Sequence, residues 1–122
     1  MDKLTKGQAE AKVCEILVKF ESKETGLGAS EGKTYFLKDM IFVRLKGVLT
    51  AEEKSLAKTQ EGRKLIKKMR IVMLDNSRKE IEEEIYKLTG AKILSLHTDI
   101  SSVSGERIFV MSMDRNMEEL YS

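Results

Sequence analysis

Several residue types that often reveal a protein's chemistry are scarce in this 122-residue chain. It has one cysteine, Cys14, one histidine, His97, and no proline. A single cysteine cannot form an internal disulfide, and such sparing use of cysteine is typical of a reducing cytoplasm. A single histidine excludes the clustered His and Cys ligands of ordinary zinc sites. These scarcities exclude disulfide-stapled domains and His/Cys zinc proteins.

Long apolar runs are missing as well. The longest uninterrupted ones are four residues long, at 40–43 and 71–74, whereas a membrane-spanning helix needs about 20. The first residues also lack the apolar segment of about 7–15 residues that marks a signal peptide. We therefore expect no membrane span and a cytoplasmic location.

The rest of the composition is that of a globular protein with a highly charged surface. The chain is 41% hydrophobic and 34% charged, with a net charge of +2. Its length fits one domain, which would bury roughly two-thirds of its unfolded surface. Since the net charge is small, any affinity for nucleic acid or an anionic membrane must come from a local patch. We predict a single domain over residues 1–122.

Residues 33–56 organise the prediction of secondary structure. Apolar runs at 34–37 and 40–45 flank a polar pair, Lys38-Asp39, which indicates a hairpin over residues 34–46. Thr50 and Glu53 then have the spacing of a helix capping box. A second hairpin is predicted over residues 91–114. In its first strand, alternation places four residues on one face: Leu94, Leu96, Thr98 and Ile100.

Helical periodicity accounts for most of the remaining chain. Residues 6–24 carry one apolar stripe, made of Val13, Ile16, Leu17 and Phe20. Helices are also predicted over residues 50–89, ending at Gly90. In the first part of this segment, one face of the helix carries Leu65, Met69 and Val72. In the second part, a different face carries the apolar residues Leu74, Ile81, Ile85 and Leu88. Where the two parts meet, residues 71–74 are apolar nearly all round the helix. Either the helix is buried on two sides there or it breaks at residues 75–77; we favour one long or kinked helix.

These elements predict an α+β fold. The two hairpins form a four-stranded antiparallel sheet, and the N-terminal helix and a long central helix pack on one face of it. The glycine-rich segment 25–33 is predicted to be a connecting loop. It lacks the glycine that a P-loop requires at position 27, which is Leu27, and it precedes a strand instead of opening a helix.

No group of residues indicates a reaction. Ser95, His97 and Asp99 alternate along one predicted strand, about 6.6 Å apart and pointing straight out, a geometry that argues against a hydrogen-bonded triad and favours the polar side of an amphipathic strand. A hydrolase centred on His97 is the weakest of the hypotheses considered. Successive glutamates at 82–84 diverge by about 100° on a helix and make a poor magnesium site. We predict no catalytic, metal or cofactor residues.

A basic group in the central helix is the one candidate binding site. Helical spacing places it opposite Leu65, Met69 and Val72, which predicts an exposed basic face that could bind phosphates or anionic lipid. The ordinary alternative is a solvated helix surface. The residues are Arg63, Lys64, Lys67, Lys68 and Arg70.

Several short motifs, in order, resemble those of a known bacterial family. They are Leu45-x-Gly47-x-Leu49-Thr50-x-x-Glu53, then Gly62-Arg63, Arg70, Leu88-Thr89-Gly90 and Asp99. In these the chain is similar to a family named after MpsC, a component of a sodium-translocating, membrane-potential-generating system. Ala29 stands where the family's glycine loop usually has proline. The resemblance brings no catalytic residues with it.

This resemblance implies a non-enzymatic, soluble accessory or regulatory subunit with an integral membrane partner, located at the inner face of the membrane. The alternative is a module that binds RNA, DNA or an anionic surface through the basic face. We also predict a homodimer, because both faces of the predicted strands, and residues 71–74 of the helix, carry large apolar side chains.

Overall fold

The structure, a computed structural model, describes residues 3–122. Its elements are α1 (Lys6–Thr25), β1 (Glu31–Leu37), β2 (Met40–Lys46), α2 (Ala51–Leu56), α3 (Gln60–Thr89), β3 (Ile93–Ile100), β4 (Arg107–Met113) and α4 (Met117–Leu120). The four strands form one antiparallel sheet in the order β1-β2-β4-β3. This confirms the predicted α+β fold with two hairpins, an N-terminal helix and a long central helix.

The first hairpin forms as predicted, although its turn is not a favoured one. Leu37 pairs with Met40 across the turn, and Lys38 adopts a left-handed φ of 54°. The first strand begins earlier than the predicted position 34, because Glu31 already pairs with Lys46. The predicted loop over 25–33 is therefore shorter, running from the end of α1 to residue 30.

Helix α1 covers the inner face of the sheet. A capping box between Thr5 and Gln8 starts it, and Gly26 ends it with a left-handed φ of 77°. Its buried side chains include Val13, Leu17 and Phe20, as predicted. The Phe20 ring meets Phe109 of β4 edge to face, with ring centroids 6.3 Å apart.

Helix α3 is a single unbroken helix of 30 residues, which confirms the preferred interpretation of residues 75–77. The buried face of its first half was predicted incorrectly. The buried residues recur mainly at intervals of four and seven: Gly62, Ile66, Arg70, Leu74, Ile81, Ile85 and Thr89. Leu65, Met69 and Val72 are instead 50%, 40% and 53% exposed. The prediction failed because it took Arg70 for a surface residue and so missed the continuous stripe that passes through it.

Among residues 3–122, no helix packs on one face of the sheet. Along β1 and β2 the inward residues are buried, whereas Tyr35, Leu37 and Arg44 are exposed on the other side. The second hairpin departs from strict alternation at its start. A register shift between Ile93 and Ser95 interrupts the ladder, and Leu94, predicted to share the face of Leu96, is 69% exposed.

The C-terminal helix α4 was not predicted. Asn116 caps it, and the Met117 N–H donates to the Lys38 carbonyl at the first hairpin. The Tyr121 ring packs against Phe36 with centroids 5.7 Å apart. Across the described chain, every helix is too short or too polar to cross a membrane.

Candidate functional site

Four charged side chains form a network in the interior, where water does not reach them. Glu21 of α1 accepts hydrogen bonds from two arginines: Arg70 Nη1 to Oε2 and Arg107 Nη1 to Oε1, both at 2.6 Å. Arg70 also binds Glu53, at the start of α2, with Nε and Nη2 at 2.8 and 2.7 Å. None of the four side chains is more than 2% exposed. Two positive and two negative charges therefore balance inside the core.

The Arg70 end of this network joins a helix cap to the core. Glu53 accepts the Thr50 N–H and the Thr50 hydroxyl accepts the Glu53 N–H, which is the predicted capping box. Arg70 Nη2 further donates to the Val48 carbonyl at 2.7 Å. Burial alone would raise the pKa of Glu53, but hydrogen bonds from Arg70 and from the Thr50 backbone outweigh it, so the pKa lies below its usual value.

The Arg107 end lies between aromatic rings. Its guanidinium carbon is 4.7 Å from the Phe109 ring centroid and 5.5 Å from that of Phe20. Nε donates to the Thr98 hydroxyl at 3.0 Å, while Nη2 is buried and has no hydrogen-bond partner among residues 3–122. Burial lowers the pKa of Arg107, although Glu21 opposes this effect. The aromatic faces provide the cation–π attraction that compensates part of the desolvation.

This network is not placed to react with a substrate, since all four groups are enclosed and each bonds to another. Its effect is to tie α1, α2, α3 and β4 together. The network was not predicted from the sequence, although the sequence carries a signal for it. Glu21 follows Leu17 by four positions, Arg70 lies four from both Ile66 and Leu74, and Arg107 alternates with Phe109. When charged residues of opposite sign occupy positions within the apolar stripes of different elements, they are expected to be buried together and to form an internal ion pair.

Most of the short motifs described above have structural roles in this fold. Gly47 has a φ of +70°, and a Cβ there would lie 2.4 Å from the Ser30 hydroxyl. A Cβ at Gly62 would lie 1.7 Å from the Leu56 carbonyl oxygen, so only glycine lets α2 and α3 approach so closely. Thr89 and Gly90 close the end of α3: the Thr89 hydroxyl donates to the Ile85 carbonyl, and Gly90 caps the helix.

The five residues of the predicted basic face do not share one environment. Arg70 is buried, which corrects its predicted place on an exposed surface. Arg63 is half-buried and donates to the Ala57 carbonyl at 2.9 Å. Lys67 pairs with Asp99 at 2.9 Å, which holds the pKa of that carboxyl below its usual value. Lys64 and Lys68 remain exposed, and no ion pair involves them among the described residues.

These two lysines were predicted to lie opposite Leu65, Met69 and Val72, but this was wrong, because Lys68 lies three and four positions from Leu65 and Val72 on the same helix. Both lysines border an exposed apolar strip on the first half of α3. We call this the outer strip and define it as Leu65, Met69 and Val72, at helical spacing of four and three. Ile71, 52% exposed, lies on the other side of the lysines. From Gly62 to Leu74 the helix contains no acidic residue. In an ordinary amphipathic helix the apolar residues face the core and the charged residues face the solvent. In this part of α3, apolar and basic side chains lie next to each other on the solvent-facing side.

The other candidate sites remain dispersed. His97 and Asp99 are exposed and Ser95 is half-exposed on β3, as expected for the outer side of an amphipathic strand. Within residues 3–122 no three His, Cys, Asp or Glu side chains converge as metal ligands would. A groove of about 1310 Å³ opens along α1 and is lined by side chains of mixed charge such as Lys19, Lys23, Glu80 and Glu84. Lys23 and Glu80 pair with each other there at 3.1 Å.

Comparison with known proteins identifies the family. The sequence matches the family described as "Na+-translocating membrane potential-generating system (MpsC)" over residues 5–115. The uncharacterized protein YbcI of Bacillus subtilis (strain 168) is 35% identical over 117 residues, which cover 96% of this chain and 94% of YbcI. The uncharacterized protein YrhF of the same organism is 30% identical over 106 residues, covering 86% and 87% of the two chains. No solved structure gives a significant match. The chain therefore belongs to the MpsC family.

Proposed function

We propose that this protein is a non-enzymatic accessory or regulatory subunit of a sodium-translocating, membrane-potential-generating system. Membership of the MpsC family supports the proposal, because the family is described by the name of such a system. The placement of the charged groups supports a binding role, since the four side chains of the internal network are enclosed in the core and bonded to one another. As in the sequence-based prediction, the protein works at the cytoplasmic side beside an integral membrane partner and assembles as a homodimer.

The single observation that carries a binding mode is the outer strip of α3 beside Lys64 and Lys68. Exposed apolar side chains next to lysines suit the boundary between lipid headgroups and acyl chains, where both kinds of group find a favourable environment. Each lysine near an anionic surface contributes about 1 kcal/mol. The outer strip and its lysines would thus hold the subunit against the anionic membrane, next to its partner.

Vesicle co-sedimentation tests this binding mode. Binding should rise with the fraction of phosphatidylglycerol in phosphatidylcholine vesicles and fall with salt. Removing both charges, Lys64→Gln with Lys68→Gln, should weaken binding by about 30-fold, which corresponds to about 2 kcal/mol. Leu65→Ser with Val72→Ser should weaken it without changing the salt dependence. The matched control is Lys12→Gln with Lys19→Gln, two exposed lysines of α1, which should bind as the unmodified protein does. Equal binding to neutral vesicles would contradict the proposal.

The accessory role needs a separate measurement in cells. Loss of the protein should reduce the sodium-dependent part of the membrane potential, as recorded with a potential-sensitive dye. Crosslinking in isolated membranes should join the protein to an integral membrane protein. An unchanged potential in the absence of the protein would contradict the accessory role, whatever the vesicles show.

Binding to a phosphate backbone is the second candidate. Lys64 and Lys68 would supply the contacts, and affinity would fall steeply with salt. The structure offers this function fewer free cations than the sequence suggested, because Arg70 is buried and Lys67 is paired. The exposed apolar side chains of the outer strip also have no role in contacting phosphates, so we favour the membrane surface. Tight binding of duplex RNA that competes with vesicles would reverse this preference.

A further inference from the structure

The uncovered face of the sheet carries several exposed apolar side chains. We call it the open face. Three rows of paired residues cross its four strands, and the middle row is Tyr35, Phe42, Val110 and His97. Leu37 and Met40 lie in the row next to the turn of the first hairpin. Ile108 lies in the third row, on the opposite side of the middle row. Tyr35 and Leu37 are each 51% exposed and Ile108 is 40% exposed. Apolar groups thus extend over three of the four strands.

We propose that a second copy of this chain covers the open face, forming a two-sheet sandwich with two-fold symmetry. The charges on the face indicate both the occupant and the orientation. One row reads Lys33, Arg44, Ile108 and Asp99 from β1 to β3. Lys33 makes the β1 edge basic and Asp99 makes the β3 edge acidic, while Arg44 between them pairs with Glu106 of the same chain at 2.8 Å. A surface with this distribution complements a copy of itself turned through 180°.

The orientation follows from the order of strands. A two-fold axis that runs parallel to the strands, midway between β2 and β4, places β1 over β3 of the other copy and β2 over its β4. Lys33 then faces Asp99 of the other copy, and Phe42 faces its Val110. Asp99 already accepts a hydrogen bond from Lys67 through Oδ1, and its second oxygen stays available to Lys33. An axis perpendicular to the strands would instead place each strand over itself.

The size of the face fits a dimer. With strands about 4.8 Å apart and a rise of about 3.3 Å per residue, four strands of about seven residues cover roughly 19 Å by 23 Å. Two such faces in contact remove on the order of 1,000 Å² of accessible surface, which is the lower limit for a specific interface. We therefore expect a reversible dimer that dissociates on dilution. The outer strip of α3 lies outside this interface, so the dimer and the membrane-binding proposal can fail independently.

Sedimentation equilibrium of the full chain at micromolar concentrations tests the dimer. The unmodified protein should show a mass rising towards twice 13.9 kDa as concentration increases. Phe42→Glu, at the centre of the open face, should stay monomeric. Leu65→Glu, on the outer strip, adds the same charge elsewhere and should leave the association unchanged. Circular dichroism should show that both variants are folded. A constant mass of 13.9 kDa for the unmodified protein at all concentrations would overturn the proposal.

Crosslinking tests the relative orientation of the two copies. On the open face it changes only residues of the two edge strands, β1 and β3, and leaves Phe42 and Val110 in place. In a Cys14→Ser background, one sample carries Tyr35→Cys and another carries His97→Cys. A bismaleimide that spans the separation of packed sheets, about 10 Å, should join the two only when the samples are mixed. Crosslinking of Tyr35→Cys to itself would show that each strand lies over its own counterpart and would overturn the proposed axis. If neither the separate samples nor the mixture gave a crosslinked dimer, and a different protein were instead found bound to the open face, a second copy would not be the occupant of this face.

Discussion

Arg70 of α3 and Glu53 of α2 bind each other through two parallel hydrogen bonds, at 2.8 and 2.7 Å, with both side chains no more than 2% exposed. The same glutamate closes the capping box of α2. One residue pair therefore sets where α2 begins and how it lies against α3. The two guanidinium–carboxylate bonds fix orientation as well as distance, which a lysine at position 70 could not do.

Replacing Arg70 should be strongly destabilising. Arg70→Met keeps the length of the side chain but leaves Glu21 with one arginine and Glu53 with none. Breaking a buried ion pair on one side costs about 3–5 kcal/mol, because a charge stays buried without its partner. Urea denaturation followed by circular dichroism measures the loss. Lys68→Met, on the exposed side of the same helix, is the matched control and should change stability by less than about 0.5 kcal/mol.

Acid should destabilise the protein partly through Glu53. The pKa of Glu53 in the folded protein is below its usual value of 4.5 because of bonds from Arg70 and Thr50 that outweigh burial. Its stabilising contribution is therefore complete above pH 4.5 and is lost as the pH falls through the lower, folded value. Unfolding free energies measured from pH 7 down to pH 3 should decrease. Glu53→Gln should be less stable at pH 7 and should show a smaller decrease; an equal decrease would contradict this role of Glu53.

The elements of the fold could be predicted because local signals marked most of them. Alternating apolar residues, the capping box of Thr50 and Glu53 and the stop at Gly90 all act over a few residues. The sheet order β1-β2-β4-β3 and helix α4 could not be predicted in this way. The contact of Met117 with Lys38 depends on residues 79 positions apart, which no local pattern encodes.

The candidate site was harder to predict, and the errors have one physical source. Sequence patterns treat every arginine as a surface residue, since an isolated buried charge is very costly. Arg70 is neutralised by two glutamates from other elements, and this pairing appears only in three dimensions. Once Arg70 is assigned to the core, the stripe from Ile66 to Leu74 becomes continuous, and Leu65, Met69 and Val72 turn to the solvent.

Gly62 should not tolerate alanine. A Cβ at this position would lie 1.7 Å from the carbonyl oxygen of Leu56, which is backbone and cannot rotate away. Gly62→Ala should therefore push α2 away from α3, strain the pairing of Glu53 with Arg70 and lower the urea midpoint. Gly7→Ala is the control, since nothing lies within 4 Å of a Cβ there. Because alanine favours helix, Gly7→Ala should be neutral or stabilising by up to about 1 kcal/mol. A Gly62→Ala protein as stable as the Gly7→Ala protein would contradict the close contact.

Cys14 should react slowly with thiol reagents while the protein is folded. Burial raises the pKa of its thiol, although Thr34 partly opposes this effect, so the reactive thiolate is scarcer than in a free cysteine at the same pH. Its sulfur also lies close to Gly32, where a Cβ would meet it at 2.6 Å. Release of nitrothiobenzoate from Ellman's reagent at pH 8 should be slow for the folded protein and fast in urea. Stability should decline as the pH rises through the usual value of 9.0, because the unfolded thiol loses its proton first. Cys14→Ser should remove this part of the alkaline loss. Equal reaction rates in the folded protein and in urea would show that the thiol is fully accessible and would contradict its protected position beside β1.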